Sequence, residues 1–187
     1  MVLRTIARDR DSFVNSGGDK KLAEEDAHIE TILVDGSVDE AKELLAHGIS
    51  PNWTSAGPGH NSALWWATTG NNEPVVKMLL DSGANPNLGS SSPTTDSPIF
   101  AAAGSPNPQI LEDLIQAGAN VNVKSEFGQT PVTVAVGSNQ DQTLEILLKN
   151  GADPSADPRV WDFAQASQNP KILQVLQAYG YRLPNGK

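Results

Sequence analysis

At 187 residues, 38% of them apolar and 19% charged, the chain is long enough for one domain with a substantial core and too apolar for wholesale disorder. It has no cysteine, which excludes disulfides, thiolate metal sites and cysteine nucleophiles, and no apolar run approaches the roughly 20 residues needed to cross a bilayer. The net charge is −9, divided as +2 over residues 1–21 and −11 over the remainder, so nucleic acid is disfavoured as a partner and a basic or neutral one is favoured.

In chain order, residues 1–21 read as a short helix or partly ordered tail. Val2, Leu3, Ile6, Phe13 and Val14 could form a helix packed against the next segment of the chain, and Asn15-Ser16-Gly17-Gly18 reads as a break. The first residues lack the apolar core and cleavage site of a secretory signal, so cytosol, or cytosol and nucleus, is the expected location. Asn52-Trp53-Thr54 fits a glycosylation acceptor but has no secretory context. Residues 22–50 set eight acids against Lys42, either a solvated capping face or a docking surface for a basic partner.

From here a repeat organises the sequence. Gly48, Gly83, Gly118, Gly151 and Gly180 are separated by 35, 35, 33 and 29 residues. Ala67, Ala102, Ala135 and Ala164 each precede one of the last four glycines by 16, and Ile32 precedes the first by 16. Length changes therefore fall between units, as repeats require. The units are expected at about 25–52, 58–87, 93–122, 125–155 and 157–181, within one domain spanning 22–183.

Each unit reads as two short helices. Leu44-Leu45, Leu79-Leu80, Leu114-Ile115 and Leu147-Leu148 stand just before the glycines, with Leu176-Gln177 in the last unit. Together with Val75, Val76, Ile110, Leu111 and Leu144 they recur at helical spacing and mark a buried stripe. The glycine then stops the helix in a left-handed conformation. Ser97-Pro98, Thr130-Pro131 and Asp157-Pro158 open first helices, each with a capping side chain and proline at the first helical position; Asn107-Pro108 and Asn169-Pro170 open second helices. Leu64, Ile99 and Val132 should form one core ladder, and Leu79, Leu114 and Leu147 another. Leu183–Lys187 should fray.

At these residues the chain resembles the ankyrin repeat family. Thr130-Pro131-Val132-Thr133-Val134-Ala135 matches the Thr-Pro-Leu-His-x-Ala start of that repeat. Ser97-Pro98-Ile99-Phe100-Ala101-Ala102 is a close variant, and Ser62-Ala63-Leu64-Trp65-Trp66-Ala67 a looser one. The resemblance covers about residues 25–181 and implies an all-α, ankyrin-type solenoid of helix-turn-helix units joined by hairpin loops, with degraded terminal caps. Glu30, Trp65, Phe100, Thr133 and Asp162 stand where the family has histidine, so the hydrogen bonds of that histidine must be replaced or lost.

The resemblance also implies a concave face, built of hairpin tips and first helices, that reads a protein or peptide partner. On that register the hairpins bring up Gly59, His60 and Asn61, then Thr94, Thr95 and Asp96, then Glu126, Phe127 and Gln129. Thr69-Gly70, Gly104-Ser105 and Gly137-Ser138 follow on the first helices. The expected partner-contacting residues are Trp53, His60, Trp65, Asp96, Phe100, Glu126, Phe127 and Gln129. Phe127 suits either a partner or a neighbouring hairpin, and Trp53 and Trp65 either a partner or the core, while Trp66 and Trp161 are expected in the core. The lengthened hairpins at 53–61 and 89–96 are Gly-, Ser- and Pro-rich and could serve binding or simply tolerate insertion. No phosphate loop, metal-spaced histidine pair or nucleophile motif is found, so no catalytic residue, cofactor or metal is expected and the protein should act as a monomeric interaction module. The alternative is a small-molecule or catalytic pocket near His60 and Asp96, with Trp65 and Phe100 beside them.

Overall fold

The computed structural model describes residues 18–56, 60–89, 97–167 and 169–181. Among these there are α-helices and one 3-10 turn, paired in chain order: α1 (Gly18–Asp35) with α2 (Val38–Ala46), α3 (Ala63–Thr69) with α4 (Glu73–Asp81), α5 (Pro98–Gly104) with α6 (Pro108–Gln116), α7 (Pro131–Gly137) with α8 (Asp141–Lys149), and α9 (Arg159–Ala166) with α10 (Pro170–Ala178). α1 begins at Gly18, inside the segment 1–21 read as a short helix or partly ordered tail; the helix considered over Val2–Val14 and the fraying end at Leu183–Lys187 lie outside the described residues.

Two layers result. The first helices pack in succession, α1 on α3, α3 on α5, α5 on α7 and α7 on α9. The second helices do the same through α2, α4, α6, α8 and α10. No helix of seven to nine residues can bury its own apolar stripe, so each unit uses its neighbours to do so. Leu64, Ile99 and Val132 of the first layer, and Leu79, Leu114 and Leu147 of the second, all lie in the core as their spacing predicts.

The helix ends explain why the glycine ladder exists. All five glycines have positive φ, between 82° and 92°. In each unit the amide after the glycine donates back to the carbonyl of the buried leucine: Ile49 to Leu44, Ala84 to Leu79, Ala119 to Leu114, Ala152 to Leu147 and Tyr181 to Leu176, at 2.9–3.1 Å. One turn thus satisfies an orphan carbonyl and reverses the chain.

Helix starts follow the sequence with two exceptions. Ser37, Ser62, Asn107, Thr130 and Asn169 accept backbone amides as N-caps. Ser97 does not: its side chain makes no capping bond, and its buried Oγ has no partner among the described residues. Asp157 stands one residue before the cap position because α9 starts at Arg159, although Asp157 Oδ1 still accepts the Arg159 amide at 3.1 Å.

Asparagines zip the turns together. Asn52 Oδ1 accepts the Asn85 amide, Asn87 Oδ1 the Asn120 amide and Asn122 Oδ1 the Asp153 amide, at 2.7–2.8 Å. Asn87 and Asn122 also donate through Nδ2 to the carbonyls of Gly118 and Gly151. Asn85 and Asn120 close their turns locally by accepting the amides of Asn87 and Asn122, while the side chains of Asn52, Asn87 and Asn122 tie one unit to the next.

Candidate functional site

The first-helix layer carries the hairpins that enter α3 and α7. Ahead of α3, Thr54 bridges Ser62, and the Ser55 amide donates to the Asn61 carbonyl at 3.0 Å. Asp26 on α1 is buried and anchors this hairpin by accepting the Ala56 amide at 2.5 Å. Neighbouring Glu30 has its carboxyl pushed above the usual range by partial burial and by the Asp26 charge. His60 is exposed at φ 45°, with Nδ1 3.1 Å from the Ser55 carbonyl oxygen.

Two expected contact residues do not face outward. Trp53 is 3% exposed and Phe100 is 4% exposed. Both belong to the core cluster: an aromatic ring within reach of a neighbouring unit buries more apolar area there than at the surface. Neither offers surface to a partner. Trp65 is half-buried and meets Trp66 edge-on, with ring centroids 5.0 Å apart at 87°. Trp66 and Trp161 are partly buried against the core. Asp96, with Thr94 and Thr95, and Gly59 of the other hairpin, lie outside the described residues. Of the four residues of the imagined pocket, His60 and Phe100 therefore lie on surface and core respectively.

The hairpin entering α7 is fully described. Its backbone closes through Ser125 N to Gln129 O and Gly128 N to Ser125 O, both 2.9 Å, and the Ser125 hydroxyl accepts the Gln129 amide. Gly128 takes φ 71° at the turn. Glu126 is exposed, Gln129 is half-buried, and Phe127 at the tip is 58% exposed. The tip is braced from the next unit, because Arg159 Nη2 donates to the Phe127 carbonyl at 2.8 Å.

That arginine is itself held. Its Nε and Nη2 donate to the two carboxylate oxygens of Asp157, each at 2.9 Å, and Thr133 Oγ1 donates to the same carboxylate at 2.7 Å. Asp157 is 3% exposed. Burial acts to raise its pKa, but the hydrogen bonds from Arg159 and Thr133 and the guanidinium charge prevail and hold the carboxyl below its usual range. Thr133 occupies the register position where a family histidine was missing. Between these two units its hydroxyl supplies an inter-unit bond.

Sequence reasoning missed part of this surface. Phe163 on α9 is 40% exposed, and a Cβ built on Gly137 of α7 would lie 3.9 Å from its Cδ2. The ring therefore lies beside a position expected on the partner face. The signal was present: aligning Ala164 with Ala135 puts Phe163 at the position of Val134, a large ring in a terminal unit.

Away from this layer, α6 and α8 flank a groove of about 430 Å³ lined by Ile115 and Ile146 with Glu112, Glu145 and Lys149. Among the described residues no cluster of three or more His, Asp or Glu side chains could hold a metal, and no helix is long and apolar enough to cross a membrane.

Comparison with known families gives two matches. The family described as ankyrin repeats (3 copies) matches residues 88–158, and the single ankyrin repeat family matches residues 59–91. Together they span residues 59–158, more than half of the chain. No curated protein matches it.

Proposed function

Because the chain belongs to the ankyrin repeat family, whose members are generally protein-interaction modules, we propose that it binds a protein or peptide partner on its hairpin and first-helix face. It does so as a monomeric, non-enzymatic scaffold, adaptor or regulatory subunit, in the cytosol or in cytosol and nucleus. The observation that carries this reading is Phe127, 58% exposed on a hairpin tip whose carbonyl is fastened to Arg159. An aromatic ring presented on backbone braced by hydrogen bonds loses less conformational freedom on binding than one on a free loop, which is the property of an interface anchor. His60, Trp65, Glu126 and Gln129 supply polar and aromatic surface on the same layer, and the acidic balance of residues 22–187 favours a basic or neutral partner.

Affinity capture from the source cell tests it. Phe127→Ala and Trp65→Ala should each lose a partner retained by the unmodified chain, with unchanged helical signal on melting. Retention of every partner by both variants would remove the face from consideration.

A further inference from the structure

Among the described residues three large hydrophobic side chains are exposed, Phe127, Phe163 and Tyr179. Two of them, Phe127 and Phe163, belong to adjacent units, one on the hairpin that enters α7 and the other on α9. Arg159 connects them: its guanidinium holds the Phe127 carbonyl, and Phe163 follows it by four residues, one turn along the same side of α9. Phe163 lies beside Gly137 of α7, its Cδ2 3.9 Å from where a Cβ would stand, an ordinary van der Waals distance.

We propose that Phe127 and Phe163 form the anchoring end of the partner face, and that its occupant is a cationic peptide segment inserting one large apolar side chain beside them. This rests on the hairpin and first-helix face being the binding surface, and adds where on that face the partner is gripped and what chemistry it carries. The charge requirement comes from what is already satisfied. Both cations of this corner are engaged, Arg159 by Asp157 and the Phe127 carbonyl, and Lys124 by the Ala156 carbonyl at 3.0 Å. Glu126 and Asp162, the acids flanking the two rings in sequence, are exposed and make no hydrogen bond or ion pair with described residues. Apolar rings beside unpaired carboxylates select an apolar residue next to Lys or Arg. Arg159 is then a positioning residue, with Nε and Nη2 committed to Asp157 and to the hairpin.

Selection of random dodecapeptides on the full-length protein tests this. The expected result is enrichment of sequences with Phe, Leu or Trp next to Lys or Arg. Their affinity should fall at least about tenfold for Phe127→Ala and for Phe163→Gln. It should fall about threefold for the double variant Glu126→Gln/Asp162→Asn, with a weaker salt dependence. Gln142→Ala and Glu145→Gln, on the opposite layer, should bind as the unmodified chain does, and thermal melting of every variant checks folding. Peptides that lose affinity with Trp65→Ala or His60→Ala but not with Phe163→Gln would overturn this anchor while leaving the partner face intact. Peptides indifferent to all of these variants, or sensitive to those at Gln142 and Glu145, would overturn both. Enrichment of acidic or wholly polar peptides would overturn the assignment of the occupant.

Discussion

Gly118 ends α6 at φ 91°, with no heavy atom within 4 Å of where a Cβ would stand. Space is therefore not what excludes a side chain there; the left-handed backbone is. Gly118→Val should cost about 1–3 kcal/mol, whereas Gln142→Ala on the exposed side of α8 should stay within about 0.5 kcal/mol, both read from urea midpoints. Equal midpoints would dismiss the left-handed cap as a source of stability. Asp157 shows a different dependence, on pH. Its pKa is depressed on folding, so its contribution is complete above the unfolded carboxylate value of about 3.9 and is lost as pH falls through the lower folded value. Asp157→Asn should melt lower than the parent at pH 7, and the difference should shrink as the pH falls below the unfolded carboxylate value and through the depressed folded one.

A glycine turn closes each of α2, α4, α6, α8 and α10, and three of these turns serve twice, since the asparagine beyond the glycine reaches an adjacent unit. Asn87 is the clearest case, accepting from the Asn120 amide and donating to the Gly118 carbonyl. Both contacts are exposed to water, which replaces part of what is lost. Asn87→Ala should therefore cost about 1 kcal/mol, visible as a midpoint shift with unchanged denaturant slope. A change in slope would mean that the ladder also sets how cooperatively the units unfold.

For the whole molecule, the succession of neighbour contacts in both layers makes stability a sum of units and interfaces. Among the described residues the end units have one interface and the central units two. Amide hydrogen exchange should accordingly be slowest in α5 to α8 and faster in α2 and α10, with Leu176→Ala accelerating α10 while leaving α4 unchanged. Uniform protection along the chain would show a single cooperative unit instead. The same geometry bears on the aromatic corner: α9 packs on α7 and no described first helix follows it, so Phe163 keeps 40% of its surface.

The sequence by itself determined the repeat, the positive φ of its glycines and the two core ladders. Each depends on residues close in the chain, where periodicity and the lack of a Cβ act locally. It could not decide which aromatic rings lie inside. Trp53 and Phe127 both stand in hairpins, yet one is buried in the core and the other is exposed at a tip, because burial depends on how closely the next unit approaches. Nor could it join Thr133, Asp157, Arg159 and the Phe127 carbonyl. These partners are separated by 24 and 32 residues, and only the stacking of α9 on α7 brings a carboxylate, a hydroxyl and a guanidinium within hydrogen-bond distance beneath an exposed ring.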